Sequence, residues 1–282
     1  MKRLNSFLLA ILALVVVGPF VVTCEKENDK GNEDITIQDP QITMTTIKKV
    51  GDTIVLRFRR DKVPTEVIGA EKIYEVNSDM VGDIFESWVV DITYKITSQT
   101  IVLKGDIPCL RCWDNELTGL DISKCPGLGL LQCDYNQLKS LNLGNNSELG
   151  YLSCGQNQLT QLDVGKNQKL VVLCCNENKL TSLDVSKNPK LEILSCANNK
   201  ITSLDISENS LYHIDCHNNK IKAAEMSKII KVLRDWTNAI IWTQYEYPIY
   251  SAILSVVSNL DSEENEISEA DIKIAQDKNW KF

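Results

Sequence analysis

Six cysteines recur on a near-perfect twenty-one-residue period: Cys112, Cys133, Cys154, Cys175, Cys196 and Cys216. An asparagine follows each three residues later: Asn115, Asn136, Asn157, Asn178, Asn199 and Asn219. A period of this length specifies stacked supersecondary units rather than the core of a globular enzyme. Each unit touches only its neighbours, so the chain builds long, regular faces suited to recognition.

Counted from the first apolar residue, the full units are 128–148, 149–169, 170–190 and the shorter 191–210. A first unit begins at Ile107, and a sixth begins at Leu211 and dissolves after Ile221. In one unit, Leu170, Leu173, Cys175 and Asn178 are echoed by Leu180, Leu183, Val185 and Asn188. The alternation in Leu173-Cys174-Cys175 and in Leu183-Asp184-Val185 is the period of a strand. Two short strands per coil are expected, stacked into two parallel ladders. The asparagines turn the chain and satisfy backbone groups that no ladder reaches.

The pattern LxxLxCxxNxLTxLDVSxNxx resembles a leucine-rich repeat of the IRREKO type, from Ile107 to about Lys222. The resemblance implies a β-rich leucine-rich repeat solenoid of six coils with two short parallel strand ladders. Cys125 stands where later units carry Asn146, Asn167 and Asn188, a local departure from the pattern.

The ends read differently. Lys2 and Arg3 precede an apolar run from Phe7 to Val17, as in a targeting leader. Val21-Val22-Thr23-Cys24 is similar to a bacterial lipobox, which implies a signal peptide over 1–23 and lipidation at Cys24. With the solenoid, this resembles a surface lipoprotein of Gram-negative bacteria. Residues 24–40 are polar and acidic and read as a flexible tether. Residues 41–105 hold β-rich runs at 42–47, 53–58, 92–96 and 100–103, a small β cap over the first coil. Val50-Gly51-Asp52 reads as a turn between the first two. The solenoid occupies 106–222 and an α/β cap 223–282, because open coil ends would expose the apolar interior. In the latter, Met226, Ile229, Ile230 and Leu233 share a helical face. Residues 239–242 read as a strand, Ser268 with Asp271 opens a last helix, and Trp280 and Phe282 tuck in a final strand.

The six periodic thiols read as small buried hydrophobes, because ladder neighbours about 5 Å apart exceed the β-carbon separation of a disulfide. A straight buried row cannot surround a zinc ion. Cys109 and Cys174 point outward and are the candidates for oxidation. His213 and His217 flank Cys216 at outward positions of the last coil.

Function should lie in the outward columns. One reads Cys109, Leu130, Tyr151, Val172, Ile193, His213; its neighbours read Arg111, Gln132, Ser153, Cys174, Ser195, Asp215 and Trp113, Asp134, Gly155, Asn176, Ala197, His217. Leu130, Tyr151, Val172 and Ile193 form an apolar stripe, either an exposed binding surface or one covered by a cap or loop. The binding residues expected are Trp113, Leu130, Tyr151, Val172, Ile193 and Arg111, with Trp113 and Tyr151 as anchors. A second column, Asp121, Asn142, Asp163, Asp184 and Asp205, either bonds its own turns or coordinates calcium. The net charge of −8 and the lack of a basic stripe argue against nucleic acid.

The expected function is therefore non-enzymatic cell-surface binding of a protein or glycan through the repeat face, without a cofactor, with membrane attachment through Cys24 at the outer membrane. The alternatives are an envelope scaffold without a dedicated ligand, and an enzyme with a site in a cap among Asp52, Asp61, Glu66 and Asp83.

Overall fold

The computed structural model describes residues 39–77, 89–235, 241–242, 248–249, 252–255 and 265–281. The leader, the lipobox with Cys24, Asp83 and Phe282 lie outside the described residues.

Six strands precede the repeats: β1 (Gln41–Thr46), β2 (Thr53–Arg59), β3 (Glu66–Ile68), β4 (Ala70–Asn77), β5 (Val89–Ile96) and β6 (Thr100–Lys104). The repeats then supply β7 (Cys109–Arg111), β8 (Leu117–Lys124), β9 (Leu130–Gln132), β10 (Tyr151–Ser153) and β11 (Val172–Cys174). They continue with β12 (Leu183–Asp184), β13 (Ile193–Ser195), β14 (Leu204–Asp205) and β15 (His213–Asp215). Downstream come α1 (Ala223–Val232), β16 (Ile241–Trp242), β17 (Pro248–Ile249), β18 (Ala252–Ser255), α2 (Glu269–Asp277) and β19 (Trp280–Lys281).

β7, β9, β10, β11, β13 and β15 stack in parallel, in register at the repeat spacing, so Tyr151 faces Leu130 and Val172. The chain is a β-solenoid whose coils repeat about every twenty-one residues. The ladder does not stop at the repeats. β2 adds to β7 antiparallel, followed by β5 and β4, and at the other end β18 and β19 add to β15 in parallel. The result is one eleven-stranded sheet. The second ladder is less regular than two full strand ladders imply. Among the described residues its strands are β8, β12 and β14, and only β12 and β14 pair directly. β8 instead joins β1, with β6 and β3 beyond. The turn at Gly51 (φ 100°) therefore does not close a hairpin: it sends β1 and β2 into different sheets.

Asparagines hold the coils where strands do not. The Asn157 amide donates to the Cys154 and Gly155 carbonyls of its own coil, at 3.1 Å each, and to Cys133 O of the preceding coil at 3.0 Å. Its Oδ1 accepts from Leu138 N at 3.0 Å. Asn136, Asn178, Asn199 and Asn219 repeat these bonds. Both ends of the row are closed in the same way. Asn115 exchanges two bonds with the Val55 backbone of β2, and Asn265 bonds Cys216 O and Ile221 N across a gap of over forty residues. A second row, Asn146, Asn167, Asn188 and Asn209, donates to carbonyls one coil back. Cys125 takes the first place in that row, its thiol donating to Ile107 O at 3.4 Å.

Between the rows lie the six periodic thiols, all with zero exposure, packed among Leu131, Leu152, Leu173 and Leu194. The nine described cysteines form no disulfide among themselves. The helical face Met226, Ile229, Ile230 and Leu233 is buried as its spacing requires. Ser268 caps α2 by accepting from Asp271 N, and the Trp280 indole donates to Arg234 O at 2.9 Å.

Asn157→Ala removes one acceptor and a donor group serving three carbonyls, all buried, and should cost about 3 kcal/mol or more. Cys154→Ala removes only a packed sulfur and should cost about 1–2 kcal/mol. Urea-unfolding midpoints of the two variants check the order.

Candidate functional site

The outward face of the first ladder does not expose its apolar stripe. Tyr151, Val172 and Ile193 are buried, and Leu130 is half-buried. They belong to the contiguous apolar cluster of the molecule, flanked by one another in register. Of the two alternatives for the stripe, exposed or covered, these three residues take the buried one. The Tyr151 ring is anchored by the Gln132 amide, which donates to its hydroxyl at 3.0 Å. Cys174 is corrected: it lies on the outward side of its strand yet is 4% exposed, and burial pushes its thiol well up. It is no site for ready oxidation. Cys109 is half-buried, and its thiol is also raised, chiefly by desolvation. His213 is half-buried with Nε2 lacking a hydrogen-bond partner, rather than solvated.

The face opens instead along the two neighbouring columns. A cavity of about 150 Å³ lies over Tyr151, Ser153, Cys174 and Ser195, rimmed by Asp134, Glu177, Asp215 and His217. Asp134 is its chemical centre. Its Oδ1 accepts from Ser153 Oγ at 2.6 Å and from Gly155 N at 2.8 Å. A side chain at Gly155 would crowd it: a Cβ there would sit 2.9 Å from Asn176 Oδ1 and 3.1 Å from Asp134 Oδ1. Burial raises the Asp134 carboxyl to about 6, against the two hydrogen bonds that lower it. Asp215 is buried and bonds His217 Nδ1 at 2.5 Å. Among the described residues no Lys or Arg lines this cavity.

Part of the rim, including Tyr135, Gln156, Glu177 and Asn198, comes from outside the columns read from strand alternation. The residue before each ladder asparagine is left-handed: Asp114, Tyr135, Gln156, Glu177, Asn198 and Asn218 have φ between 49° and 56°. This conformation costs a non-glycine residue roughly 1 kcal/mol, offset here by the four bonds of the asparagine that follows. It turns Tyr135, Gln156, Glu177 and Asn198 onto the cavity. Gln156 donates to Glu177 Oε1 at 3.1 Å, and Asn218 to Asn198 Oδ1 at 2.7 Å. Tyr135 is 42% exposed. Only a column read as strained turns, rather than as strand ends, could have revealed it.

Trp113 and Arg111 lie at the other end of the same columns, where β2 meets β7. Trp113 is 38% exposed, and the Arg57 guanidinium sits 5.0 Å from its ring centroid. The acidic column of the second side serves its own turns. Asp121, Asp184 and Asp205 accept from the backbone N of Ser123, Ser186 and Ser207 at 2.9, 2.9 and 3.0 Å, which lowers their carboxyls. Asn142 and Asp163 bond Gly144 N and Gly165 N alike. Of the carboxylates considered for a cap site, Asp52 bonds Lys49 N, Asp61 pairs with Arg59 and Glu66 with Lys104. They do not converge.

Asp134 also sets a stability test. Its pKa is higher in the fold than in the unfolded chain, so its contribution is fully present below about pH 4 and lost as pH rises through about 6. Asp134→Asn keeps the acceptor oxygen and removes the charge. It should raise stability by about 1 kcal/mol or more at pH 7.5 and make little difference near pH 4, as measured by thermal unfolding at both values.

The family described as Leucine Rich repeats (2 copies) matches residues 168–209. No curated protein matches the chain. Among solved structures, the functional domain of InlJ from Listeria monocytogenes, which includes a cysteine ladder, is 27% identical, with a TM-score of 0.43, over 65% of this chain and 46% of that one. The Leptospira interrogans leucine-rich repeat protein LIC12759 is 25% identical, with a TM-score of 0.42, over 57% of this chain and 38% of that one. The chain therefore spans less than half the length of either. Its coils are leucine-rich repeats stacked as a β-solenoid.

Proposed function

We propose that this is a non-enzymatic lipoprotein, anchored through Cys24 in the outer membrane and exposed at the cell surface, that captures a protein ligand through the outward face of its first ladder. The observation that carries the reading is the cavity at the centre of that face. Three carboxylates, Asp134, Glu177 and Asp215, line it on successive stretches of the ladder, with no Lys or Arg among its described lining residues, beside the half-exposed Tyr135 ring. Such a cavity suits basic side chains of the partner: the ring covers an aliphatic stem and the carboxylates meet the charges in turn. Partial burial strengthens the attraction beyond that of a surface pair. The covered stripe through Val172 favours a second reading, an envelope scaffold without a dedicated ligand.

The test is capture of extracellular matrix proteins by the immobilised mature chain, followed by direct affinity measurement on any partner retained. Tyr135→Asn and Glu177→Gln should each weaken binding at least tenfold. Tyr135→Asn should not lower thermal stability, because asparagine tolerates the left-handed backbone at that position. Affinity should also fall several-fold from pH 7.5 to pH 5.5 as Asp134 takes up a proton. No retained partner, or one indifferent to both variants, leaves the scaffold reading. Mass spectrometry of the native N-terminal peptide should find acyl chains on Cys24; an unmodified cysteine removes the anchor.

A further inference from the structure

The cavity at the opposite end of the face has the opposite chemistry. It measures about 380 Å³, within the range of small-ligand pockets, and is lined by Lys48, Thr53, Val55, Arg57, Asp91, Arg111, Trp113, Asp114 and Asn115. Arg57 and Arg111 stand directly opposite each other across the β2–β7 pair. Like charges so placed repel unless each is compensated. Arg57 is compensated by a two-pronged pair with Asp91, one arm at 2.6 Å, and by the Trp113 ring. Arg111 is not. Among the described residues it forms no ion pair, and its Nε is buried without an acceptor. Lys48, held at 3.1 Å from Thr53 O, adds a third cation on the same wall.

The remaining lining narrows the anion. Asp114 forms no ion pair among the described residues and is exposed at the mouth, its backbone held left-handed at φ 55°. A sulfate ion brings only acceptors and two negative charges, which Asp114 would repel. A carboxylated sugar brings one charge for Arg111 and hydroxyl donors for Asp114. It also brings a ring face for the exposed edges of Trp113 and Val55, 38% and 47% accessible. Arginine forks match a carboxylate in two parallel bonds, so the uncompensated guanidinium is a built receptor for that group. We infer that this cavity binds a carboxylated sugar residue of an acidic polysaccharide, with the carboxylate on Arg111, the ring beside Trp113 and a hydroxyl donating to Asp114. The acidic cavity around Asp134 plays no part, so this inference stands or falls apart from the proposed protein capture.

The experiment is titration calorimetry of the full chain in detergent against oligosaccharides bearing glucuronate, galacturonate or N-acetylneuraminate, each beside its carboxyl-reduced form and inorganic sulfate. At least one acidic oligosaccharide should bind saturably, its reduced form at least tenfold more weakly, and sulfate more weakly still. Arg111→Met should lose at least tenfold in affinity, with Arg111→Lys recovering part of it. Should Arg111→Met fail to fold by circular dichroism, Trp113→Ala, which removes the exposed ring at the mouth, should still weaken binding severalfold. Absence of saturable binding across the panel, sulfate binding as tightly as the sugar, or indifference to the substitutions would overturn the inference.

Discussion

Each coil of this molecule depends on the amide of one buried asparagine. A solenoid turn leaves carbonyls and N–H groups inside, out of reach of both water and the strand ladder, and burying them unpaired is costly. Asn157 satisfies four such groups at once, in its own coil and in the one before it. The same bonding recurs along the row, and both ends of the row are finished with it: Val55 of β2 closes one and Asn265 the other. The flanking segments are thus bonded to the solenoid by the same device that bonds the coils to each other. The dry file of cysteines is the counterpart of this constraint. A small apolar side chain fills the strand position three residues before each amide without competing for its hydrogen bonds.

The rim of the outward face follows from that constraint. To place the amide inward, the preceding residue must adopt a left-handed backbone, and six non-glycine residues do. The strain is tolerated because the bonds that follow outweigh it, and its product is a row of side chains lifted onto the rim of the central cavity. Tyr135 is the least expected of them, since an aromatic residue gains nothing locally from that conformation. Strain retained where a small polar residue would be more stable is the pattern of functional positions.

The solenoid was legible because a twenty-one-residue period with Cys and Asn at fixed offsets repeats one physical solution several times over. The inward register of Cys112 through Cys216, the Ser268 cap and the buried face of α1 all followed from local spacing. What spacing could not reveal was contact across sequence. Nothing in Asn265 marks it as the next amide of a row that the repeats leave at Asn219. Nothing in the runs 42–47 and 53–58 says that they part into different sheets. The second ladder read as strands from its alternation, but asparagine rows and Asp-capped turns take over its backbone bonding. At the site, period two correctly placed Tyr151, Val172 and Ile193 on the outward side, yet outward is not the same as exposed. The left-handed column was hidden because glycine, its usual mark, is absent there.

Burial of the stripe changes what the face presents. With Tyr151, Val172 and Ile193 buried, charge rather than apolar area distinguishes one part of it from another. The face is polarised: Lys48, Arg57 and Arg111 gather at the β2–β7 junction, while Asp134, Glu177 and Asp215 follow one, three and five coils on. Because the columns run in register, the charges share one surface at rungs of about 4.8 Å each. Glu177 and Asp215, three and five rungs from Arg111, lie beyond the screening length at physiological salt and act as a pole distinct from the cations. A ligand spanning both meets attraction in one orientation and repulsion in the other, which fixes its direction along the ladder before any close contact forms. Repetition gives this molecule its fold; the departures from repetition, in the columns running from Arg111 to Asp215 and from Trp113 to His217, give its face a direction.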